Sequence, residues 1–155
     1  MSLSVEKNIE IRNFQATDLQ RVVKIERESF RSPWPEILFR RRSEMDPDGF
    51  SVATCESKVV GYVIGRIEIK KGLELGHLMN LAVDEEYRRQ GIGSLLLKEI
   101  EDYFKREGAR GIWLETREGN RAAENFYSKH GYEQIDVQEG YYSDGTDALI
   151  MCKGL

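Results

Sequence analysis

The sequence predicts an α/β protein whose strands form a mixed, mostly antiparallel central sheet, flanked by about four helices. Two observations carry this prediction. Short apolar runs that alternate with polar residues, as strands do, are interspersed with longer runs whose apolar residues recur every three to four positions, as in helices that bury one face. Glycine- and proline-containing turn signals separate the runs, and three of the strands follow one another directly, which favours antiparallel pairing.

Composition bounds the class of protein. A chain of 155 residues favours a single domain over residues 1–155, because this length supplies a real hydrophobic core. The net charge of −4 argues against a nucleic-acid partner. Cys55 and Cys152 form no metal-ligand pattern and no disulfide framework, and no apolar N-terminal run indicates secretion, so we expect no metal and a cytoplasmic protein. No apolar stretch approaches the length of a membrane span, so we expect no membrane partner.

The chain up to residue 49 is predicted as one strand and two helices. Thr17 is interpreted as the cap of the first helix, because Gln20 three positions later completes the spacing of a capping box. Pro33 and Pro35 interrupt the helical pattern, because each disfavours helix in the residue before it, and Pro35 can open the second helix. The predicted bounds are 9–14 for the strand and 17–29 and 35–42 for the helices.

Strands predominate after residue 49, and two further helices interrupt them. Short turns at 57–58 and 71–72 separate the three successive strands. The helix after the third strand ends at Gly108, which fits a left-handed C-terminal cap. Asn120 begins the next helix, and Gly131 ends it. The predicted strands are 50–55, 59–69, 73–83, 111–117, 132–137 and 148–152.

The loop between the third of these successive strands and the next helix is interpreted as an anion site. Gly91 and Gly93 lie at the N-terminus of that helix, where backbone N–H groups lack intrahelical partners and the helix dipole adds positive charge. Glycine lets a diphosphate approach these amides, and Arg88 and Arg89 add charge. The dinucleotide pattern G-x-G-x-x-G fails at Leu96, and the sequence has no Walker pattern G-x-x-x-x-G-K-S/T. The alternative is a helix that merely begins at glycines.

This loop, Arg88-x-x-Gly91-x-Gly93 between a strand and a helix, resembles the acyl-coenzyme A diphosphate loop of the GCN5-related N-acetyltransferase (GNAT) superfamily. Over residues 9–152 the chain is similar to its RimI-type and archaeal N-terminal acetyltransferase branch. The similar C-terminal segments are 113–115, Asn120, 122–123, 126–127, 131–132, 140–142 and 147–151. The resemblance implies the GNAT fold, with a central sheet splayed at its middle, and transfer of the acetyl group of acetyl-CoA to the N-terminal α-amine of a protein, either a ribosomal protein or nascent chains.

The resemblance also implies which residues bind the cofactor and the acceptor, and it implies a monomer or a weak homodimer. Residues 81–83 would act through their backbone, on the pantetheine chain and the acetyl oxygen. The implied cofactor-binding residues are Leu81, Ala82, Val83, Arg88, Arg89, Gln90, Gly91, Ile92, Gly93, Ser94 and Asn120. The implied acceptor-binding residues are Phe30, Pro33, Trp34, Tyr141 and Tyr142.

Catalytic roles follow from the same resemblance. Glu115 would be the general base, acting through a water, because a carboxyl with a reference pKa of about 4.3 is poorly matched to an α-amine near 8. Tyr127 would be the general acid that protonates the departing sulfur. His77 is the second candidate base, since an imidazole has a reference pKa of about 6.5. The alternatives are a Glu115 carboxylate paired with Arg117 on an exposed strand, and a Tyr127 ring that only packs in the core.

Several of these residues also have a purely structural interpretation. Phe30 and Trp34 are equally well explained as core aromatics, Asn120 as a helix N-cap, and the Tyr141–Tyr142 pair as part of a hairpin without a function. Two further functions also fit the sequence. One is acetylation of a lysine side chain or a small amine, which needs a stronger base because the ε-amine has a reference pKa of about 10.4. The second is a non-catalytic acyl-CoA-binding module.

Overall fold

A computed structural model describes residues 8–155 of the chain. It contains seven strands and four α-helices within this range. The strands are Ile9–Asn13 (β1), Phe50–Cys55 (β2), Lys58–Lys70 (β3), Leu73–Val83 (β4), Gly111–Arg117 (β5), Glu133–Gln138 (β6) and Ala148–Gly154 (β7). The helices are Leu19–Ser29 (α1), Glu36–Met45 (α2), Ile92–Arg106 (α3) and Arg121–Lys129 (α4).

The strands pair in the order β1-β2-β3-β4-β5-β7-β6. The pairs β1–β2, β2–β3, β5–β7 and β6–β7 are antiparallel, and β4–β5 is parallel. The parallel register covers two positions, Gly76 with Ile112 and His77 with Trp113, which is short for strands of eleven and seven residues. The predicted fold class, a mixed and mostly antiparallel sheet with about four helices, is therefore confirmed.

The chain divides into two compact units, and β3, β4 and α3 contribute residues to both. The first unit comprises the described residues up to Gly65 together with Asn80–Tyr103. The second unit comprises Arg66–Met79 together with Phe104–Leu155. The assignment of residues 1–155 to a single domain stays a prediction.

The core of the first unit is aromatic at its centre. Phe39 of α2, Phe50 of β2 and Tyr62 of β3 are fully buried, and their rings lie 5.8 to 6.5 Å apart. The face of α1 that carries Val22 and Val23 is buried as well, as the three-to-four-residue spacing predicts. Each large ring that is removed from water contributes about 1.5–3 kcal/mol of apolar burial.

The core of the second unit forms around β5. Ile112 and Leu114 are each 1% exposed and share one face of the strand, as the alternation predicts, while Trp113 and Glu115 lie on the other. Phe104 of α3 is fully buried, and its ring occupies the space beside Gly76 that a side chain there would need.

The predicted cap of the first helix was wrong. Thr17 lies within a single 3₁₀ turn, Ala16–Asp18, and α1 begins only at Leu19. Asp18 belongs to a capping box of this 3₁₀ turn, in which its carboxylate accepts a hydrogen bond from the backbone N–H of Gln15 at 2.8 Å. Arg12 donates two further hydrogen bonds of 2.8 and 3.0 Å to this carboxylate, and a capping-box pattern, which spans four residues, does not include that contact.

Candidate active site

The loop that connects β4 to α3 lies in the first unit and has the features of an anion site. Gly91 has a left-handed φ of 82°, and its carbonyl accepts the first helical hydrogen bond, from Leu95 N–H at 3.1 Å. Gly91 therefore lies immediately before the first residue of α3, at the helix N-terminus, as the sequence predicts. Arg89 also has a left-handed φ, of 63°, which is strained for a non-glycine residue and is typical of functional loops.

The space over this loop is open. A Cβ atom built on Gly91 would meet no atom of the described chain within 4 Å, so the approach to the helix N-terminus is open. Arg88, Arg89, Gln90 and Gly91 are exposed. The Arg88 side chain is partly engaged, because its Nε donates to the Val83 carbonyl at 3.0 Å. The loop thus presents main-chain donors, with Arg89 as the more available charge.

The end of β4 lies directly before this loop. Ala82 is buried, and Leu81 and Val83 are half-buried, so their side chains contribute to packing. The backbone role that the resemblance implies for residues 81–83 stays a prediction. Of the remaining implied cofactor residues, Ile92 is fully buried at the start of α3, and Gly93 and Ser94 are half-buried.

A hydrogen bond to Glu26 holds the segment between α1 and α2. The backbone N–H of Trp34 donates to the Glu26 carboxylate at 2.9 Å, and the Trp34 ring lies 5.4 Å from that of Phe39. Phe30 and Trp34 are half-buried, and Pro33 is exposed. Trp34 therefore both packs on the core and keeps an accessible edge, which is compatible with either of its two interpretations.

Glu26 was not identified from the sequence. It is 1% exposed, and its carboxylate accepts hydrogen bonds from the Tyr62 hydroxyl and, at 2.8 Å, from the Asn80 side chain. Burial raises the pKa of Glu26, although the bonds from Tyr62, Trp34 and Asn80 act in the opposite direction. Glu26 lies on the apolar face of α1, four residues after Val22, and this position of a charged residue could have indicated a buried carboxylate.

Glu115 and His77 meet in the second unit. Glu115 Oε1 contacts His77 Nε2, and His77 Nδ1 lies 2.8 Å from Glu68 Oε2. The imidazole stacks on the Trp113 ring, with centroids 3.8 Å apart. The two residues that the sequence offered as competing bases are thus direct partners. Glu68, which completes the arrangement, was missed, because a charged residue in the alternating run of β3 carries no distinguishing pattern.

These side chains line a cavity of about 590 Å³, within the second unit. His77, Trp113, Glu115 and Tyr141 contribute to its wall, as does Lys70, whose ammonium lies 3.5 Å from the centroid of the Trp113 ring. A groove with an aromatic wall and a few converging polar groups is typical of a binding site.

The alternative that paired Glu115 with Arg117 was wrong. Arg117 Nη1 donates to Asp144 at 2.7 Å, and its guanidinium stacks on the Tyr142 ring at 4.2 Å. The pKa of Asp144 lies well below its ordinary value because hydrogen bonds from Thr146 and from Arg117 stabilise its charged form. Arg117 therefore orders the loop between β6 and β7, and the partner of Glu115 is His77.

Tyr141 and Tyr142 stand on that ordered loop. The Tyr142 N–H donates to the Thr146 carbonyl at 3.1 Å, and the two rings lie edge to face, 5.0 Å apart. Tyr141 is 48% exposed. Burial, together with the charge of Glu115, raises the pKa of Tyr141 and brings that of Tyr142 to about 12, so both phenols stay protonated at neutral pH.

Tyr127 and Asn120 both belong to α4. Tyr127 is 7% exposed, and burial raises the pKa of its phenol far above the ordinary value, so the phenol keeps its proton at neutral pH. Its ring packs edge to face on Phe126 and Tyr132. Asn120 is the N-cap of the helix: its side-chain oxygen accepts from Ala123 N–H at 3.2 Å. The packing and capping interpretations are thus met, while the catalytic and cofactor roles stay predictions.

Neither a metal cluster nor a membrane-spanning helix is found in the described part of the chain. Among residues 8–155, no group of three or more His, Cys, Asp or Glu side chains is placed to hold a metal ion. Over the same range, no helix combines the length and the apolar character that crossing a membrane requires.

Comparison with known proteins finds similar sequences and structures. The family model described as acetyltransferase (GNAT) family matches residues 19–132. An N-alpha-acetyltransferase of Sulfurisphaera tokodaii is 34% identical over 158 residues, covering 96% of this chain and 95% of its own. The ribosomal protein bS18-alanine N-acetyltransferase of Escherichia coli is 31% identical over 144 residues, covering 91% and 94%. The crystal structure of Ard1 from Thermoplasma volcanium has a TM-score of 0.88 and 28% identity, covering 95% of this chain and 97% of that one.

Proposed function

The chain belongs to the GNAT acetyltransferase family, and from this premise we propose that it transfers the acetyl group of acetyl-CoA to the N-terminal α-amine of a protein. The observation that carries the proposal is the Glu115–His77 contact in the wall of an open cavity that Tyr141 also lines. Relatives named for α-amine acetylation support the acceptor class. A ribosomal protein or nascent chains are the proposed acceptors, which would place the reaction in the cytoplasm.

The described residues of the β4–α3 loop fit the diphosphate of coenzyme A. Gly91 and Gly93 would hold it through main-chain amides at the N-terminus of α3, and Arg89 would add charge. When bound, acetyl-CoA supplies the acetyl group as a thioester. The proposed work of the chain is to bind this carrier, to take a proton from the amine and to give one to the sulfur.

Glu115 is proposed to accept the amine proton, through a water, and Tyr127 to donate to the sulfur. An α-amine with a reference pKa of about 8 is roughly one-tenth neutral at pH 7, whereas an ε-amine at about 10.4 is neutral some 250-fold less often. A base made of carboxylate and imidazole is therefore better suited to the α-amine. This argument favours a protein N-terminus over a lysine side chain.

A peptide-library assay tests the acceptor class. We expect acetyl-CoA-dependent acetylation of free-N-terminus peptides, and at least a tenfold lower kcat/KM for matched peptides whose only amine is a lysine. Mass spectrometry locates the acetyl group. Transfer only to lysine or to small amines contradicts the proposed acceptor. Coenzyme A binding without transfer to any amine indicates the non-catalytic binding module.

Gly91→Val tests the anion site. The valine Cβ enters the space over the amides, and its branched side chain disfavours a φ of 82°, so we expect at least a tenfold weaker coenzyme A affinity by calorimetry. Gly72→Val is the matched control, because Gly72 has a φ of 79° and equally open surroundings in the turn between β3 and β4. It should lower stability similarly while leaving the affinity unchanged. Unchanged affinity in Gly91→Val refutes the site.

A further inference from the structure

The imidazole of His77 lies between two carboxylates, and only one of them has a proposed part in the reaction. His77 Nδ1 lies 2.8 Å from Glu68 Oε2, while Nε2 contacts Glu115. The side chains of Glu68, His77 and Glu115 are 16%, 11% and 10% exposed, so water competes little for these contacts. Arg66 Nε donates to the same Glu68 oxygen at 2.7 Å and fixes that carboxylate from the other side.

The number of protons decides what this arrangement can do. An ionised carboxylate only accepts hydrogen bonds, and a neutral imidazole donates from one nitrogen only. With one proton shared among the three groups, one of the two nitrogen–oxygen contacts therefore has no hydrogen. A second proton turns both contacts into hydrogen bonds, and charge-assisted bonds of this kind are among the stronger ones. The three side chains therefore gain one hydrogen bond when they take up a proton.

We propose that Glu68 is a positioning residue, and that Glu68, His77 and Glu115 together accept the proton of the acceptor amine as one unit; this rests on the acetyl transfer proposed above. Glu68 holds the Nδ1 proton of His77, which turns Nε2 toward Glu115. The outer carboxylate also places a second negative charge beside the imidazole, and this charge favours the form with two protons. Stacking on Trp113 keeps the ring in the plane that serves both contacts.

The proton balance of the reaction is complete with this unit. An acceptor ammonium gives up two protons on its way to the amide. The unit takes one before the nitrogen–carbon bond forms and later releases it to water. As the carbon–sulfur bond breaks, Tyr127 gives its proton to the sulfur, and the second proton from the nitrogen restores the phenol.

Within the second unit of the fold, further charged and titratable groups lie near the side chains of Glu68, His77 and Glu115. Arg66 lies beside Glu68 on β3, Tyr141 lines the same cavity as Glu115, and the raised pKa values of the Tyr141 and Tyr142 phenols keep both protonated. Burial acts to raise the pKa of Glu68, but the hydrogen bonds from Arg66 and His77 outweigh it, and the pKa lies below its ordinary value. Glu68 thus supplies a stable negative charge. The remaining charged groups that line the cavity are Lys70, Asp136 and Lys153.

Glu68→Gln and Glu68→Asp separate charge from geometry. Without the Glu68 charge the unit holds its second proton less tightly, so in Glu68→Gln we expect kcat about tenfold lower and the acid limb of the kcat–pH profile about one unit lower. Glu68→Asp keeps the charge but shortens the reach, so kcat should fall while the limb stays in place. Glu74→Gln removes an exposed charge from the adjacent strand β4 and should behave as the wild type. A purely structural Glu68 would lower the melting temperature without moving the limb.

Nuclear magnetic resonance gives a readout that needs no acceptor. The sequence has two histidines, so His77→Gln assigns the imidazole nitrogens and His130 serves as an internal reference. We expect the ring-nitrogen signals of His77 to show a proton on Nδ1 in the wild type and to lose this preference in Glu68→Gln, with the signals of His130 unchanged. The same proton position at His77 in both proteins overturns the proposal. A wild type that acetylates no amine overturns the proposed function, and the position of the His77 proton still decides the role of Glu68.

Discussion

Replacing Glu115 with glutamine should lower kcat by about a hundredfold or more, because loss of a general base typically costs two to four orders of magnitude. Glutamine has nearly the same shape and can still accept a hydrogen bond, so the contact with His77 and the wall of the cavity should persist. It cannot take up a proton. Steady-state kinetics with a free-N-terminus peptide measure the effect, and calorimetry should show unchanged coenzyme A affinity.

Glu118→Gln is the matched control for this substitution. Glu118 is exposed and follows the last residue of β5, so its variant carries the same change in charge on the same segment and should keep wild-type kinetics. A Glu115→Gln enzyme whose kcat stays within twofold of wild type contradicts the assigned base. If His77→Gln then abolishes transfer, the imidazole is the base and Glu115 orients it.

The elements of the fold were largely predictable because local patterns determine them. The bounds of β2 and β4 match the predicted 50–55 and 73–83, since turn chemistry marks both ends of each strand. The start of α3 was predictable for a similar reason, because Gly91 is required at a left-handed φ immediately before the apolar periodicity begins. The capping pattern failed at Thr17, where the Asp18 carboxylate is held by Arg12, a residue outside the four positions that the pattern considers.

The proton-accepting side chains were predictable one at a time but not as a set. Glu115 and His77 are 38 residues apart and lie on different strands, so the sequence analysis treated them as alternative candidates for the general base. Their contact follows from the parallel register of β4 and β5, in which His77 lies opposite Trp113, two residues before Glu115. Glu68 comes into contact with His77 only because β3 lies beside β4 in the sheet. The periodicity of either strand alone does not predict that contact.

The aromatic side chains show a different limit. Sequence patterns could not decide whether Trp34 is a core residue or a contact residue, and the structure shows that it touches Phe39 while staying half-buried. Tyr141 is 48% exposed on a loop that Arg117 and Asp144 hold in place. An exposed aromatic on an ordered loop costs little entropy on binding, which favours acceptor contact over a purely structural role.

Gly76→Ala should destabilise the protein by about 1–3 kcal/mol, the usual cost of overpacking a well-packed core. A Cβ at Gly76 would lie 2.3 Å from Phe104 Cδ2 and 2.4 Å from Cγ, which is far inside van der Waals contact. Phe104 is fully buried and cannot move aside without disturbing its neighbours. Denaturant unfolding measures the loss. Gly154→Ala, a strand glycine of β7 whose Cβ would meet nothing within 4 Å in the described structure, should be nearly neutral.

A double-mutant cycle shows whether the ring of Phe104 is the cause. Phe104→Ala alone should cost about 3–5 kcal/mol, because it leaves a cavity where the ring was. In that background the added methyl group of Gly76→Ala has room and fills part of the cavity, so the double variant should be more stable than the sum of the single losses by at least about 1 kcal/mol. Strictly additive losses would mean that the glycine serves the backbone of β4 rather than the ring. His77 follows Gly76 directly, so the same clash should also displace the imidazole from Glu115 and lower kcat at temperatures where the variant is still folded.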